Sequence, residues 1–471
     1  MSATSVYLSF PDSSLFKLQP DPYPKAVPPP SDFYSLRSPW PISSETYNFW
    51  LQPAIPATFA AVYASVIVSL NIFNRRNGNQ PWSISRTKTF RFLVLTHNIL
   101  LMLYSAATCA ALVRALRHTW PSYGGSEYKF AEAVDSLCKM HGPRGIGDAA
   151  FYNASSSRWT IKNSAIRLAL NGTPDSTDVG RLWNEGLAFW GWLFYLSKFY
   201  EVIDSFILVL KGKRSSTLQV YHHAGAMAAM WAGIRYMSPP IWMFVCVNSF
   251  IHTWMVSYGY YAVSALGYRV PIWFKRTLTT CQIMQFVVGA SFAAAHLFIS
   301  YSVPVSTPYY IFSNVASIAS AAPSSTTSAV SSLMSSAVPT ASAQFASFMK
   351  KMAFRAAGQE GLAENVGRPL GSVDEAIRVE EQKVLDRVQE VRYRNEYQRV
   401  SCIDTSGQSF AIWLNLIYLF PLTWLFLRFF VRSYTNRLSR SPTKHRKPVE
   451  ARGRAAYEAS EDAARDTDRE M

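Results

Sequence analysis

Histidine and amide side chains at helical spacing in the middle of this 471-residue chain have the types needed for acyl transfer. Gln219, His222 and His223 form a Gln-x-x-His-His pattern, and Asn248 and His252 follow at a spacing of four. A helix turns about 100° per residue, so Gln219 and His222 share a face while His223 points elsewhere. A neutral imidazole can attack a thioester or accept a proton, and amide groups can stabilise an oxyanion. The pattern predicts catalysis by histidine, although a single intramembrane histidine more often serves packing.

A row of ionisable residues precedes these histidines, with Lys198, Glu201 and Asp204 placed three apart. On one helix this spacing brings each residue within reach of the next. Such a row can bind a polar group of a substrate, or it can be an internal ion-pair network that fixes helix packing. The sequence leaves both roles open.

Thr279, Gln282 and Gln285 repeat polar side chains at every third position further along the chain. They either hydrogen-bond neighbouring helices or line the cavity that holds the histidines.

A membrane di-iron enzyme would need several imidazoles for each iron, and the chain has only eight histidines, some of them in loops. No metal site and no bound cofactor is expected.

Long apolar segments must position these residues, because charged residues make up only 16% of the chain. About 20 apolar residues cross a bilayer, and ionisable groups within such segments mark a polar interior. The sequence predicts an all-α membrane protein with seven spans. These lie at about 54–73, 92–115, 186–210, 217–237, 240–265, 272–301 and 409–431.

Basic residues cluster in alternate loops, which predicts that those loops and the C-terminus are cytosolic and the N-terminus is lumenal. The formal charge of +16 therefore reports orientation, and no nucleic-acid-binding motif accompanies it. The opposite loop, 116–185, contains two glycosylation sequons, at Asn153 and Asn171. Their position supports a lumenal location for this loop.

The chain divides into segments of different composition. We expect a Pro/Ser-rich lumenal segment (1–50), six spans with the polar motifs (51–301), a lumenal insert (302–408), a seventh span (409–431) and a charged cytosolic tail (432–471). Within the insert, 313–349 is Ser/Ala-rich low complexity. Residues 373–399 place Ile377, Val384, Val388 and Val391 at helical spacing, which predicts an amphipathic helix that is either solvated or bound to a partner or membrane surface.

In this order the motifs resemble those of the ELO family of very-long-chain fatty acid elongases. The family's Lys-x-x-Glu-x-x-Asp box matches 198–204, its His/Gln-x-x-His-His box matches 219–223, and its Thr-x-x-Gln-x-x-Gln box matches 279–285. Asn248, His252 and Met255 match its Asn-x-x-x-His-x-x-Met element. His97-Asn98 and Cys402 also look like family positions. The resemblance covers about 45–301 and 400–435.

The resemblance implies condensation of a long-chain acyl-CoA with malonyl-CoA to 3-oxoacyl-CoA, CoA and carbon dioxide. His222 would form an acyl-imidazole, with His252, His223 and Asn248 assisting. Substrate and CoA contacts would come from Lys198, Glu201, Asp204, Gln219, Tyr258, Gln282 and Gln285. The family fold has six helices forming a barrel around a closed-ended acyl tunnel, with a peripheral first helix.

The resemblance also implies an endoplasmic reticulum membrane protein in contact with lipid. It would work with the ketoacyl-CoA reductase, dehydratase and enoyl-CoA reductase of the elongation cycle, and could form a homodimer. In the predicted topology Cys138 and Cys402 are both lumenal, so we expect a disulfide between them.

Two departures from the family bear on function. Gln219 stands where many members have His, which leaves the substrate class open. The family's Tyr-x-Tyr-Tyr is displaced to Tyr258, Tyr260 and Tyr261, so an inactive ELO-like protein remains an alternative. A seven-helix receptor or transporter is the alternative from another class, although neither needs these histidine boxes.

Overall fold

The computed structural model describes residues 5–30, 34–121, 129–163, 166–254, 271–312 and 389–435. Most of the described residues are helical. The chain divides into two compact units, one of residues 1–304 and 397–471 and the other of residues 305–396. All of the candidate site residues described below belong to the first unit.

The first unit carries all of the described helices. They are α1 (Ser44–Trp50), α2 (Ala54–Arg76), α3 (Lys88–Thr119), α4 (Lys129–Cys138), α5 (Trp192–Tyr200), α6 (Ile203–Leu210), α7 (Thr217–Arg235), α8 (Ile241–Trp254), α9 (Ile272–Phe298) and α10 (Ser406–Phe430). π-helical segments precede α5 (Trp183–Gly191) and extend α10 (Val431–Thr435). The strands are β1 (Val6–Leu8), β2 (Ala150–Asn153), β3 (Arg158–Ile161), β4 (Ile299–Phe312) and β5 (Gln389–Ser401).

Among the described helices, α2, α3, α9 and α10 with its extension are long and apolar enough to cross a membrane. Large apolar side chains on them are exposed, with Val62 at 56% and Phe420 at 81%. Exposed apolar side chains on long helices are typical of lipid-facing surfaces. The chain is thus a mostly helical membrane protein, while the seven-span barrel stays a prediction.

The predicted span 186–210 is not one continuous helix, which corrects the sequence expectation. A π-helical segment leads into α5, and Glu201 and Val202 form a turn before α6. Backbone hydrogen bonds in this turn connect residues three apart. They run from Asp204 N to Glu201 O (3.1 Å) and from Ser205 N to Val202 O (3.0 Å). Such tight turns rotate the following residues relative to an α-helix, so Glu201 and Asp204 need not share a face.

The predicted amphipathic helix over 373–399 is wrong where the structure describes it, because 389–401 form strand β5. The competing signal is the alternation of Val391, Tyr393 and Tyr397 with charged residues, which favours a strand. Strand β4 likewise takes the last residues of the predicted span 272–301, and its start pairs antiparallel with β1. Residues 313–388 lie outside the described residues.

The predicted loop between the second and third spans forms a compact cap with the residues that precede α10. A disulfide joins Cys138 at the end of α4 to Cys402. The guanidinium of buried Arg181 donates to Asp135 Oδ2 at 2.6 Å, and the Tyr301 hydroxyl donates to Asp135 Oδ1 at 2.7 Å. These charge-assisted bonds fix the cap to strand β4.

The N-terminal segment packs against the π-helical segment before α5 and against α7 through indole donors. Trp183 Nε1 donates to Val27 O at 2.7 Å, and Trp231 Nε1 donates to Leu51 O at 2.8 Å. Buried Trp side chains generally need such a partner for the ring N–H. The Pro/Ser-rich start of the chain is therefore part of the folded unit where it is described.

Helix α2 packs against α6 and α7 through a buried apolar cluster. Its members are Tyr63, Ile67, Val202, Val209 and Met227. The Tyr63 hydroxyl bonds to Ser205 Oγ at 2.8 Å. This cluster holds α2 against the turn that contains Val202 and against α7.

Candidate active site

Lys198 and Glu201 form a buried ion pair at the end of α5. Lys198 Nζ lies 2.7 Å from Glu201 Oε1, and both residues are 4% exposed. Ser197 Oγ also donates to Glu201 Oε1 at 3.0 Å, and Lys198 Nζ reaches Asn248 Oδ1 on α8 at 3.4 Å. The first two residues of the charged row are therefore paired, and they contact the Asn of the next motif.

Asp204, the third residue of this row, pairs with α3 instead. Its Oδ1 lies 2.9 Å from His97 Nε2, and the other ring nitrogen of His97 lies 3.1 Å from the Tyr200 hydroxyl. The turn at Glu201 accounts for this change of direction. His97 thus bridges two residues of the α5–α6 segment, whereas Asn98 bonds back to Val94 O within α3.

Helix α7 presents His222 to α10. Ser216 caps the helix by accepting a bond from Gln219 N at 3.2 Å, which fixes the first turn. His222 Nδ1 lies 2.9 Å from the Tyr418 hydroxyl, and this hydroxyl also lies 3.2 Å from the His222 carbonyl oxygen. Tyr418 is thus the main described partner of the candidate nucleophile.

His223 takes a different direction from His222, as the helical geometry predicts. Its ring packs edge-on against Tyr63 at a centroid distance of 6.2 Å, and 5.5 Å separates the centroids of the two imidazoles. Within the described part of the chain, His223 Nδ1 and Glu201 Oε2 are buried without a hydrogen-bond partner. Buried polar atoms of this kind are uncommon and often mark a functional site.

The remaining histidine of the pattern, His252, joins the same cluster. It is buried on α8, one turn after Asn248. Lys198, Glu201, His223 and His252 all lie close enough to His222 to act on it electrostatically. The structure therefore brings the first three motifs together around one centre.

Helix α9 is linked to this centre by aromatic contacts through α10. Phe426 of α10 lies between the His222 ring (6.5 Å) and Phe286 (5.1 Å), the neighbour of buried Gln285. Gln219 and Gln282 are half-buried. Tyr258, with Met255, Tyr260 and Tyr261, lies outside the described residues.

Outside this centre, Asn153 and Asn171 are exposed in the cap. Cys138, Cys402 and buried His296 form a group of potential metal ligands, but the disulfide occupies both sulfur atoms. This group therefore offers a metal one imidazole and no thiolate.

Sequence reasoning missed Tyr418, Tyr200 and Tyr63, which contact His222, His97 and His223. Tyr418 is the one tyrosine of the predicted span 409–431, and a buried tyrosine hydroxyl needs a partner. The sequence therefore indicated that the Tyr418 hydroxyl has a hydrogen-bond partner, but it did not identify that partner.

Comparison with known proteins gives a consistent picture. Residues 48–442 match the model of the GNS1/SUR4 family, ELO. The chain is 40% identical over 106 residues to fatty acid elongase sre1 of Dictyostelium discoideum, covering 22% of this chain and 38% of that protein. It is 31% identical over 126 residues to fatty acid elongase 2 of Trypanosoma brucei brucei, covering 26% and 46%.

A mammalian relative is also named as a fatty acid elongase. Very long chain fatty acid elongase 7 of Rattus norvegicus is 35% identical over 102 residues, covering 21% of this chain and 36% of that protein. The chain thus spans less than half the length of each of these curated relatives.

Proposed function

Since this chain belongs to the GNS1/SUR4 (ELO) family of fatty acid elongases, we propose that it condenses a long-chain acyl-CoA with malonyl-CoA. The products are 3-oxoacyl-CoA, CoA and carbon dioxide. The observation that carries this proposal is the cluster of His222, His223 and His252 beside the buried Lys198–Glu201 pair. Neutral imidazoles in a site of low dielectric constant are suited to nucleophilic and proton-transfer steps.

In the first step, a ring nitrogen of His222 attacks the acyl thioester carbon. A carbon–nitrogen bond forms to give a protonated acyl-imidazole, the carbon–sulfur bond breaks, and CoA leaves as its thiolate, which takes a proton from solvent through His252 and His223. Malonyl-CoA then loses carbon dioxide, and the resulting enolate carbon attacks the acyl-imidazole. The carbon–nitrogen bond breaks and His222 returns to its starting state.

The polar residues around His222 support these steps. His252 and His223 transfer protons, and Asn248 positions substrate by hydrogen bonding. The buried Oε2 of Glu201 and Nδ1 of His223, which have no partner within the described residues, are available to polar groups of the substrates. Further contacts to substrate and CoA come from Lys198, Asp204, Gln219, Tyr258, Gln282 and Gln285.

The membrane setting follows from the same proposal. The protein lies in the endoplasmic reticulum membrane, with the N-terminus and the disulfide-linked cap in the lumen and the C-terminus in the cytosol. Six of the seven helices form a barrel around the closed-ended acyl tunnel, and the first helix is peripheral. A ketoacyl-CoA reductase, a dehydratase and an enoyl-CoA reductase would complete each cycle, and the protein can act as a homodimer.

Chain extension in microsomes tests the activity. Microsomes that express the chain are given labelled malonyl-CoA and a panel of acyl-CoA primers, and we expect extension of at least one primer. His222→Ala should abolish it, whereas His118→Ala, which removes an exposed histidine at the end of α3, should leave it unchanged. Absence of extension with every primer would instead support an inactive homologue or a receptor or transporter.

A further inference from the structure

Tyr418 contacts His222 through two atoms, and this double contact restricts where protons can lie. Its hydroxyl oxygen is 2.9 Å from His222 Nδ1 and 3.2 Å from the carbonyl oxygen of the same residue. A hydroxyl has one proton to donate, and a carbonyl oxygen can only accept. The two contacts therefore cannot both be made by donation from Tyr418.

One proton arrangement satisfies both contacts. The Tyr418 hydroxyl donates to the His222 carbonyl and accepts a bond from Nδ1–H. In the alternative, the hydroxyl donates to an unprotonated Nδ1, and two oxygens then face each other at 3.2 Å without a proton between them. The first arrangement is favoured because it places one proton in each of the two contacts.

We propose that Tyr418 is a positioning residue that holds His222 as its Nδ1–H tautomer and thereby presents the Nε2 lone pair to the acyl thioester. This inference rests on the function proposed above. Nε2 forms the bond to the acyl carbon, the carbon–sulfur bond breaks, and Nδ1 keeps its proton and its bond to Tyr418. A third group that fixes the tautomer of a catalytic imidazole is a recurring feature of nucleophilic catalysis.

The position of the Tyr418 ring is itself fixed by α7. Gly225 lies one turn after His222, and a Cβ atom at Gly225 would collide with the Tyr418 ring. Tyr418 is 9% exposed, so its hydroxyl is largely shielded from water. The glycine allows the two helices to approach closely enough for the hydroxyl to reach His222.

Tyr221 provides a matched control. Its hydroxyl donates to the backbone oxygen of Tyr418 at 3.2 Å, so it also links α7 to α10 by one hydrogen bond. This bond does not involve His222. Tyr221→Phe therefore removes a hydroxyl between the same two helices without changing the contact to the imidazole.

The kinetic test measures acyl-enzyme formation. Full-length protein in detergent is mixed with acyl-CoA without malonyl-CoA, and CoA release and the acyl adduct are followed. Tyr418→Phe should slow acylation on the order of tenfold, the change that one lost hydrogen bond supports, with the KM for acyl-CoA unchanged. Tyr221→Phe should acylate at the wild-type rate.

The outcomes separate this inference from the proposed function. Wild-type acylation in Tyr418→Phe would overturn the role of Tyr418, while loss of the adduct in His222→Ala would still support His222 as the nucleophile. Full adduct formation in His222→Ala would overturn the proposed nucleophile. An equal loss in Tyr418→Phe and Tyr221→Phe would show that the hydroxyl serves helix packing only.

A spectroscopic test needs only the wild-type protein and one variant for assignment. With ¹⁵N-labelled histidine, the signal of His222 is assigned by its absence from His222→Ala. We expect Nδ1 to be protonated and Nε2 unprotonated at neutral pH. The reverse pattern would overturn the proposal even if Tyr418→Phe failed to fold.

Discussion

Replacing one residue of the Lys198–Glu201 pair is expected to change both the stability of the fold and the proposed activity. Both side chains are buried, and Glu201 Oε1 accepts from Lys198 and from Ser197. Paired charges of this kind contribute little net stability, but removal of one partner leaves an uncompensated buried charge. The cost of a substitution therefore depends on whether the partner is also changed.

We predict that Lys198→Met lowers the free energy of unfolding by about 3 kcal/mol and abolishes chain extension. The double variant Lys198→Met/Glu201→Leu should regain most of the stability, because no unpaired charge remains, but not the activity. Thermal denaturation in detergent and extension assays measure the two effects.

Lys17→Met is the matched control for this prediction. Lys17 pairs with Asp21, but both side chains are nearly half exposed. Breaking an exposed pair changes stability by less than about 1 kcal/mol. Recovery of activity in the double variant would contradict a functional role for the charged pair.

Sequence spacing identified the residues that share one helix, and it failed for contacts between helices. Gln219, His222 and His223 could be found because local periodicity relates them. Tyr418 lies 196 positions from His222, and no periodic relation connects them. Asp204 was placed correctly in its motif but not with its partner His97, because a turn at Glu201 intervenes.

At the scale of elements, long apolar helices could be predicted and irregular segments could not. The predicted spans 54–73, 92–115 and 409–431 lie within helices of the structure, since sustained hydropathy requires no knowledge of tertiary contacts. Strand β5 was missed because four apolar residues at helical spacing competed with a two-residue alternation. Pairing with β4, which belongs to tertiary structure, favours the second pattern.

His141, which follows α4 in the cap, is expected to make the stability of the fold depend on pH. His141 is 3% exposed, with Nε2 at 3.1 Å from Met237 Sδ and the ring against Trp159 and Trp183. Burial, and secondarily the charge of Arg181, lower the pKa of His141 from 6.5 to about 3. The folded cap therefore keeps this histidine neutral.

We predict that His141 reduces the stability of the fold as the pH decreases from about 6.5 toward 3. In this range the unfolded chain binds a proton that the folded chain does not, so protonation favours unfolding. The effect approaches 1.4 kcal/mol per pH unit for one proton. Above pH 6.5 both states are neutral and the contribution is constant.

His141→Phe isolates this contribution, because other groups titrate in the same range. The midpoint of thermal denaturation in detergent is measured at pH 7 and pH 5 for both proteins. The wild type should lose more stability between these values than the variant. Equal losses would contradict a neutral, buried His141 in the folded cap.

At the scale of the whole molecule, the charge distribution, the disulfide and the sequons bear on one question, the orientation in the membrane. Basic residues alternate between loops, as expected for cytosolic faces. In the proposed orientation the disulfide Cys138–Cys402 lies on the opposite, lumenal face, where an oxidising compartment would maintain it. None of these features depends on the arrangement of the proposed catalytic residues.

The geometry of the two sequons suits this orientation. Asn153 follows strand β2, and its Oδ1 accepts from Ser155 Oγ at 2.6 Å; Asn171 Oδ1 accepts from Thr173 Oγ1 at 2.7 Å. Both asparagines are exposed. The backbone N–H groups of Ser155 and Thr173 donate to the same oxygens, so each sequon forms an Asx turn on the surface of the cap.

We predict that the cap is N-glycosylated and that the C-terminal tail is not. In microsomes, glycosidase treatment should increase the mobility of the wild type on a gel, and Asn153→Gln/Asn171→Gln should remove this shift. A sequon appended to the C-terminus on a flexible extension should remain unmodified, because a chain with lumenal N-terminus and seven spans ends in the cytosol. Modification of the appended sequon without modification of the cap would contradict the proposed orientation, because it would place the Cys138–Cys402 disulfide in a reducing compartment, where disulfides are rare.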